Sequence, residues 1–269
     1  MISARAPIGI FDSGAGGLTV LKAVARRMPG ENLIYFGDTA NLPYGTKSPR
    51  AVSRASVAVA RFLARQGIKA LVVACNTSSA LALPDIRRAI KTVPTLGVIE
   101  PGARAAAKAA QGRPIGVVAT AATVSSGAYA RAVKSFSPRT RVISVACPLF
   151  VPLVEEGLWS GRIAQGVAAR YLPALRRARV KTLILGCTHY PLLKGVIRRA
   201  LGRGVRLVDS GEETARDLEA LLESRGLRRT GRVLGRRRFY VSDDPARFSR
   251  LARRFLGRGV GKVILHGCE

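Results

Sequence analysis

Short apolar runs alternate with amphipathic segments along almost the whole 269-residue chain. In the amphipathic segments, apolar residues recur three and four positions apart, which is the spacing of a helix with one buried face. Ten runs have the length and composition of buried strands: PIGIFDS, NLIYFGDT, KALVVACNT, TLGVIEP, PIGVVAT, RVISVACP, TLILGCTH, VRLVDSG, RFYVSD and KVILHG. This alternation predicts an α/β fold whose parallel sheets are covered by helices on both faces.

The order of the runs indicates that one unit occurs twice. The stretch PIGIFDSGAGGL begins at Pro7 and leads to Cys75, 68 residues later, and PIGVVATAATVSSGAY begins at Pro114 and leads to Cys187, 73 residues later. Each of these two stretches of chain closes with a predicted strand that ends in cysteine. We predict two pseudo-symmetric parallel-sheet α/β domains with the active site in the cleft between them. Similar Ile-Gly strands arising by chance in one α/β protein are the alternative.

The predicted junction between the halves lies near the small-residue stretch GVIEPGARAAAKAAQGRP. After Val208 the strand and helix patterns resume, and we expect this tail to pack back onto the first half. The first domain then comprises residues 1–98 and 209–269, and the second comprises residues 99–208. In that arrangement the chain crosses twice between the domains.

The chain carries 45 Lys and Arg residues against 16 Asp and Glu residues, a formal net charge of +29. Such a surface attracts small acidic substrates and binds polyanions without specificity. The basic residues are spread along the chain at helical spacing, aromatic residues make up only 6%, and no nucleic-acid motif accompanies them. Nucleic acid is therefore expected to bind only nonspecifically, if at all. An arginine-rich proteome would account for the charge equally well.

No run approaches the roughly 20 apolar residues that span a bilayer, and the first residues lack the apolar core of a signal peptide. We expect a cytoplasmic protein without a membrane partner. The four cysteines, at positions 75, 147, 187 and 268, form no Cys-x-x-Cys pair. In a reducing compartment they are expected to stay thiols.

Polar clusters stand where several of the predicted strands end. In parallel sheets, ligands bind outside the carboxyl ends of the strands, close to helix N-termini. The clusters are FDSG with Asp12 and Ser13, FGDT with Asp38 and Thr39, ACNT with Cys75, Asn76 and Thr77, GCTH with Cys187, Thr188 and His189, and VDSG with Asp209 and Ser210. All of them are expected to face the same kind of crevice.

Cys75 and Cys187 are the nucleophilic members of these clusters. A free thiol has a pKa near ~8.5, and a helix N-terminus or a nearby cation lowers that pKa, so both cysteines are placed to become thiolates. A cysteine within a strand is more often a small core residue, and we assign Cys147 and Cys268 to that role. The strand-end position beside hydrogen-bonding residues favours a catalytic role for Cys75 and Cys187.

Other chemistries fit these residues poorly. A zinc site would need a closed set of ligands, but the chain has only two histidines and no four-ligand spacing. A Cys-His hydrolase would use one cysteine and leave the second unexplained. The loop DSGAGGL has Thr19 where a dinucleotide fingerprint has its third glycine, and no P-loop Gly-Lys-Ser/Thr follows it. We expect its glycines to let backbone N–H groups approach a carboxylate.

Two thiols from two similar halves suit a reaction that needs a base on one face of a carbon and an acid on the other. Racemisation has that symmetry, because one thiolate removes the α-proton and the opposite thiol returns a proton, with the roles exchanged in the reverse direction. An amino-acid α-proton is far less acidic than a thiol. The site must therefore stabilise the carbanion in a water-poor cleft.

The sequence resembles the aspartate/glutamate racemase family along its whole length. The motifs that carry the resemblance are IGIFDSGAGGLTVL, YFGDTANLPYGTKS, VVACNTSSA, GVIEPG, LVEEG, LILGCTHYPLL, LVDSG and FYVSDDPARF. The combination of PYGTK with GCTHYPLL is more similar to the glutamate branch than to the aspartate branch. The resemblance implies a cofactor-independent isomerase, without metal or pyridoxal phosphate, that interconverts L- and D-glutamate. By the same resemblance it supplies D-glutamate for peptidoglycan biosynthesis, and so for cell-wall biogenesis and cell shape.

The resemblance also implies roles for individual residues. Cys75 is implied as the base for D-glutamate with Asp12 assisting it, and Cys187 as the base for L-glutamate with His189 assisting it. Asp38 and Glu155 match further acidic positions implicated in catalysis. Substrate contacts are implied for Asp12 and Ser13, Tyr44 and Gly45, Asn76 and Thr77, and Thr188 and His189.

Structural roles for the same residues stay open at this level. Asp12 and Thr77 also suit helix caps. Tyr44 suits a turn after Pro43, and Glu155 suits a solvated helix charge. The alternative functions are a racemase for aspartate or another acidic amino acid, and a nucleic-acid-associated or partner-inhibiting protein that keeps the racemase scaffold. The expected assembly is a homodimer that binds glutamate.

Overall fold

The computed structural model describes residues 3–231, 233–257 and 259–267, and it contains two parallel β-sheets. Its strands are β1 (Ile8–Asp12), β2 (Leu33–Gly37), β3 (Ala70–Val73), β4 (Thr95–Gly97), β5 (Ile115–Ala119), β6 (Val142–Ala146), β7 (Thr182–Gly186), β8 (Arg206–Asp209), β9 (Arg237–Val241) and β10 (Val263–Leu265). Each of the ten predicted runs contains or overlaps one of these strands, so the predicted α/β class is confirmed. Cys268, which we assigned to the core, lies outside the described residues.

Six strands form the first sheet, in the order β10-β9-β2-β1-β3-β4, and four form the second, in the order β6-β5-β7-β8. The central strands β1, β2, β3, β5 and β7 are buried at every residue. Strands that are covered on both faces have no exposed positions to fill with polar residues. This explains why the sequence shows continuous apolar runs instead of an alternation of apolar and polar residues.

The two sheets share one strand order. The sequence β2-β1-β3-β4 in the first sheet corresponds to β6-β5-β7-β8 in the second, strand by strand in chain order. Cys75 follows β3 and Cys187 follows β7, so the two thiols occupy equivalent places. This correspondence supports the predicted duplication. The exact domain limits, residues 1–98 with 209–269 and residues 99–208, stay a prediction.

The α-helices in the described ranges connect the strands. They are α1 (Leu18–Arg27), α2 (Pro49–Arg65), α3 (Asn76–Leu81), α4 (Leu83–Ala89), α5 (Ile99–Ala110), α6 (Ala121–Ser125), α7 (Ala128–Phe136), α8 (Phe150–Glu155), α9 (Gly161–Tyr171), α10 (Pro173–Arg177), α11 (Lys194–Leu201), α12 (Ser210–Ser224) and α13 (Pro245–Leu256). Short 3-10 turns span Thr39–Asn41, Tyr44–Thr46 and Tyr190–Leu193. Among these helices of the described chain, none is both long enough and apolar enough to cross a membrane.

Local sequence signals explain where several helices begin. Ser48 accepts a hydrogen bond from the N–H of Ala51, and Pro49 occupies the first position of α2, where no backbone hydrogen bond is lost. Asp209 and Asp244 cap α12 and α13 with their side chains. Helix α12 follows β8 directly and α13 follows β9 after three residues, whereas α2 follows β2 after a longer connection with two 3-10 turns. Their N-termini therefore lie at the carboxyl ends of the strands, as expected for parallel sheets.

The tail of the chain returns to the first half, as the sequence predicted. Strand β9 pairs with β2, and β10 pairs with β9. Helix α12, which follows the last strand of the second sheet, packs against both α1 and α5. Helix α13 packs against α1, and its Phe255 ring contacts the His189 ring edge to face at 5.5 Å. The last two helices thus bring the first half close to the strand ends of the second.

Candidate active site

A cavity of about 350 Å³ lies at the carboxyl ends of strands from both sheets. Both Cys75 and Cys187 line it, and each is almost completely buried. Its lining consists of Ser13, Gly14, Leu42, Pro43, Tyr44, Gly45, Thr46, Cys75, Asn76, Thr77, Thr120, Ala121, Pro148, Val151, Pro152, Glu155, Cys187, Thr188 and His189. Every residue predicted as catalytic or as a substrate contact is in this set except Asp12 and Asp38. Of the other strand-end polar residues expected to face the crevice, Thr39, Asp209 and Ser210 do not line the cavity.

Cys75 stands at the N-terminal end of α3. Its Sγ accepts a hydrogen bond from the N–H of Ser78 at 3.5 Å, and its thiol donates to the Ser13 hydroxyl at 3.8 Å. Burial, and after it the negative charge of Asp12, raises the pKa of this thiol to about 12, against the opposing effect of these hydrogen bonds. The lowered pKa that the sequence predicted for Cys75 is therefore wrong. The loss of hydration outweighs the helix N-terminus.

Asp12 ends β1 and lies behind the cavity wall, with 1% of its surface exposed. Its Oδ2 accepts hydrogen bonds from the N–H of Gly17 at 3.0 Å and of Gly14 at 3.3 Å. Its Oδ1 is buried and has no hydrogen-bond partner among the described residues. Burial raises the pKa of the carboxyl group, while the charge of His189 and the backbone hydrogen bonds oppose the shift. An unsatisfied buried oxygen costs stability, so it calls for a functional explanation.

The glycines of the DSGAGG loop allow the backbone of this loop to lie close to Asp12 and Thr188. A Cβ atom at Gly17 would lie 2.5 Å from the Cβ of Asp12, and a Cβ atom at Gly16 would lie 2.3 Å from the Thr188 hydroxyl oxygen. Neither distance is sterically allowed. The sequence predicted that these glycines bring N–H groups to a carboxylate, and in the structure the N–H groups of the loop bind the chain's own Asp12.

Cys187 directly follows β7 and has His189 as its neighbour. The His189 Nδ1 lies 3.8 Å from the Cys187 Sγ and 3.4 Å from the Thr188 Oγ1, and its Nε2 lies 3.2 Å from the Glu155 Oε1. Burial by itself lowers the pKa of His189. The hydrogen bonds and charges of Cys187 and Glu155 outweigh burial and raise that pKa to about 10. The imidazole is therefore a cation at neutral pH.

Glu155, the last residue of α8, links His189 to the C-terminal helix. Its Oε2 accepts a hydrogen bond from the Arg247 guanidinium at 3.2 Å, and Arg254 donates to its backbone carbonyl. Burial raises the pKa of Glu155, but contacts with His189 and Arg247 outweigh burial and lower it. Only 14% of the side chain is exposed. Glu155 is thus a partly buried member of an ion-pair chain, not a solvated helix charge.

Tyr44 lines the cavity and is held by a residue behind the wall. Its hydroxyl donates a hydrogen bond to the Asp38 carboxylate, which also accepts from Ser242 at 2.7 Å and from Asn41 at 3.1 Å. Burial, and then the charge of Asp38, raises the pKa of the Tyr44 hydroxyl. Asp38 is 1% exposed and does not line the cavity. Any influence of Asp38 on the cavity therefore passes through Tyr44.

Hydrogen bonds and close packing join the two halves around the cavity. The Thr77 hydroxyl lies 3.0 Å from the Thr120 hydroxyl, and the Asn76 amide donates to the Tyr129 hydroxyl at 2.8 Å. A Cβ atom at Gly45 would lie 2.8 Å from the Thr120 Cβ, so the Tyr44–Thr46 turn packs directly against the second half. These contacts orient the residues that the sequence predicted as substrate contacts.

The remaining wall of the cavity is largely apolar. It is formed by Leu42, Pro43, Pro148, Val151 and Pro152. An apolar wall excludes water and strengthens the electrostatic interactions of the groups inside. This wall is consistent with the water-poor cleft expected from the sequence for proton removal from an α-carbon.

The sequence did not predict the cavity residue Thr120, or Tyr129 and Arg247, which hold Asn76 and Glu155 in place. Thr120 ends the run PIGVVAT, so the strand-end signal that identified the other residues was also present there. Tyr129 lies on α7 and Arg247 lies on α13. No local spacing connects these two helical residues with the strand ends. Their participation follows from tertiary packing alone.

Cys147 follows β6, is fully buried and does not line the cavity, which confirms its assignment to the core. Within the ranges 3–231, 233–257 and 259–267, no group of three or more His, Cys, Asp and Glu side chains could hold a metal ion.

Known protein families and structures resemble this chain over both halves. The family model described as Asp/Glu/Hydantoin racemase matches residues 13–218. A glutamate racemase of Geobacter metallireducens is 52% identical over 256 residues, which cover 95% of this chain and 94% of the relative.

Two solved structures extend the similarity to three dimensions. The glutamate racemase of Francisella tularensis in complex with D-glutamate has a TM-score of 0.93 and 38% identity, with 99% of each chain covered. The glutamate racemase of Thermus thermophilus in complex with β-chloro-D-alanine has a TM-score of 0.89 and 49% identity, with 98% of each chain covered.

Proposed function

Because the chain belongs to the Asp/Glu/Hydantoin racemase family and is an amino-acid racemase, we propose that it interconverts L- and D-glutamate. We propose further that Cys75 and Cys187 transfer the protons and that no cofactor takes part. Relatives named glutamate racemase, and the similar structure in complex with D-glutamate, support glutamate as the substrate.

One observation carries the two-thiol proposal. Cys75 and Cys187 follow equivalent strands of two similarly ordered sheets, and both line one cavity. A pair of acid-base groups that come from separate halves can approach a bound carbon from different sides. Inversion at the α-carbon by two separate acid-base groups requires this arrangement, whereas a hydrolase with one nucleophile does not.

In the L-to-D direction, the Cys187 thiolate removes the α-proton, and the electron pair of the broken C–H bond stays with the α-carbon and its carboxylate. The Cys75 thiol then donates its proton to the opposite face of that carbon. Cys187 ends as a thiol and Cys75 ends as a thiolate, which is the starting state for the D-to-L direction. One proton is taken and one is given, so the reaction needs no oxidant or reductant.

The charged neighbours of the thiols assist these steps. The His189 cation, held by Glu155, stabilises the Cys187 thiolate and the negative charge that develops on the substrate. Asp12 assists Cys75 by taking up the thiol proton, and its protonation removes the negative charge that raises the pKa of the thiol. The α-ammonium group of the substrate is a further cation beside the thiolate that removes the α-proton.

The polar cavity residues bind the two carboxylates and the ammonium group of glutamate. We assign this role to Ser13, Tyr44, Gly45, Asn76, Thr77 and Thr188. Asp12 and His189, which the resemblance also named as substrate contacts, act mainly on the thiols. Asp38 is a positioning residue, since it holds the Tyr44 hydroxyl from behind the wall.

The product D-glutamate would supply peptidoglycan biosynthesis, and so cell-wall biogenesis and cell shape. We place the enzyme in the cytoplasm, and we propose that it acts as a homodimer. Size-exclusion chromatography with light scattering tests the assembly, because a monomer mass across the working concentration range would exclude the dimer.

The test of the proposed function is incubation of the pure protein with L-glutamate in D₂O, with a chelator and no added cofactor. Chirality and α-deuterium are followed together. D-Glutamate that carries deuterium at the α-carbon is the expected product. Exchange with aspartate but not with glutamate would reassign the substrate, and no exchange with either amino acid would refute the proposed activity.

A further inference from the structure

The second half of the chain is strongly basic. Residues 101–208 contain eighteen Lys and Arg residues but only two acidic residues, Glu155 and Glu156. These two acidic residues stand at the C-terminal end of α8, and Glu155 lines the catalytic cavity. This segment therefore contributes no acidic side chain to the opposite end of its sheet.

Basic residues precede or begin every strand of the second sheet. The four strands are parallel, so their first residues lie along one edge, with neighbouring strands about 4.8 Å apart. The basic residues at these positions are Arg113 before β5, Arg139 and Arg141 before β6, Arg179 and Lys181 before β7, and Arg203 and Arg206 at β8. All of them are exposed. This edge is opposite the carboxyl ends that form the catalytic cavity.

A trough of about 890 Å³ lies on this edge, between the end of α11 and the start of β8. We call it the arginine trough, because Arg198, Arg199, Arg203 and Arg206 line it. Two further hollows continue it, one sharing Arg199 and the other sharing Arg206. The basic residues that the two hollows add are Arg176, Arg177, Arg179, Arg104, Lys108 and Arg216.

The four arginines of the trough have no ion-pair partner in the part of the chain that the structure describes. Glu213 is the acidic residue that borders the adjoining hollow, and Arg216 already pairs with it at 2.7 Å. Like charges that lie close together without acidic partners repel each other, and a bound anion relieves the repulsion. Guanidinium groups suit phosphate best, because their planar fork can bind two oxygens at once.

We propose that the arginine trough binds the phosphate backbone of double-stranded DNA without sequence preference. No aromatic side chain lines the trough or the two hollows, so bases of a single strand would find nothing to stack on. Among the described residues, the large exposed apolar side chains, such as Leu149 and Ile163, do not line the trough or the two hollows. A membrane-binding surface would need such side chains to insert between lipids. The chemistry of the trough therefore favours a phosphodiester backbone.

The test measures the anisotropy of a labelled random-sequence DNA duplex with the full chain, over a series of salt concentrations. The variant replaces the four trough arginines, Arg198→Gln, Arg199→Gln, Arg203→Gln and Arg206→Gln. We expect at least tenfold weaker binding at physiological salt. The slope of log affinity against log salt should also fall by roughly 3 to 4, since each lost phosphate contact removes about 0.9. Racemase activity, measured on the same samples, reports that the variant is folded.

A matched variant separates a specific surface from net charge alone. Arg50→Gln, Arg54→Gln, Arg61→Gln and Arg65→Gln remove the same charge from exposed positions on α2. This variant should keep most of the duplex affinity. Equal loss of affinity in both variants would refute the trough as the binding surface. Binding to phosphatidylglycerol vesicles that depends on the trough, without duplex binding that depends on it, would overturn the proposal in favour of a membrane. Neither result depends on whether glutamate is the substrate.

Discussion

Cys75 and Cys187 occupy equivalent places in the two halves, but the groups around them differ in charge. Cys75 is near the Asp12 carboxyl group, and burial raises the pKa of both groups. Cys187 has the His189 Nδ1 at 3.8 Å, and the pKa of that imidazole is raised to about 10. One thiol therefore has an acidic neighbour and the other has a cationic one.

This difference shows that a repeated backbone does not require repeated electrostatics. L- and D-glutamate have equal free energies in solution, so kcat/KM for racemisation must be the same in both directions at every pH. The unlike surroundings of the thiols can therefore appear only in the separate proton-removal steps, or in kcat and KM taken individually. The predictions below address those quantities.

Replacement of one thiol at a time should give the largest effect. Cys75→Ser and Cys187→Ser should each lower racemisation by roughly 10³-fold, because a serine hydroxyl is a far weaker acid than a thiol and is not ionised near neutral pH. In D₂O, Cys75→Ser should still exchange the α-hydrogen of L-glutamate without inversion, and Cys187→Ser should do so with D-glutamate. Chiral chromatography with mass spectrometry measures both.

The core cysteine offers a control for these variants. Cys147→Ser changes a thiol that does not line the cavity and should keep racemase activity. If both catalytic-site variants lose exchange equally for both enantiomers, the assignment of each thiol to one enantiomer is wrong. If neither variant loses racemisation, the two-thiol mechanism is wrong.

The next largest effect is expected when the charged neighbour of one thiol is removed, Asp12 beside Cys75 or His189 beside Cys187. Asp12→Asn should slow α-hydrogen exchange of D-glutamate by about 10²-fold, because an amide cannot take up the proton that the Cys75 thiol must lose. His189→Gln should slow exchange of L-glutamate by a similar factor, because the cation beside Cys187 is lost. Asp12→Asn should slow exchange of L-glutamate less, and His189→Gln should slow exchange of D-glutamate less. In each case the thiol that removes the proton lies in the other half. Initial rates of deuterium incorporation provide the measurement. The opposite pairing of variant and enantiomer would contradict the proposed roles.

The His189 cation also predicts a pH-dependent stability. In the folded chain the pKa of His189 is about 10, against an ordinary value of 6.5, so the folded state keeps a proton that the unfolded state releases. The stabilisation is complete below about pH 6.5 and is lost as the pH rises toward 10. Between about pH 7 and about pH 8.5 the free energy of unfolding should therefore fall as the pH rises. Urea titrations should show this slope in the wild type and a shallower one in His189→Gln, and an unchanged slope would refute the assignment.

The smallest effect is expected for the exposed end of the ion-pair chain. Arg247 is half exposed, so its contact with Glu155 is weakened by solvent. Arg247→Gln should lower kcat by roughly two- to fivefold and leave the fold intact, because Glu155 keeps its contact with His189. The neighbouring exposed Arg250 makes the control, and Arg250→Gln should have no such effect. A loss as large as that of His189→Gln would show that Arg247 has a direct role.

The strands and most of the cavity residues could be predicted because their signals are local. Strands that are buried on both faces appear as continuous apolar runs, and the residues that follow parallel strands meet at one edge of the sheet. Asp12 and Asp38 show the limit of that rule. They have the same strand-end position as the cavity residues, but backbone N–H groups bind one carboxylate and the Tyr44 hydroxyl binds the other behind the wall.

The amino-acid sequence alone was enough to establish the α/β class, the repeated order of strands and the two thiols at strand ends. These properties depend on hydrophobic periodicity and on the order of segments, and both can be read along the chain. Only the tertiary structure revealed that Tyr129 and Arg247 reach the site and that the pKa of Cys75 rises. Packing decides which distant residues meet and how much water each group loses, and neither quantity is contained in a local pattern.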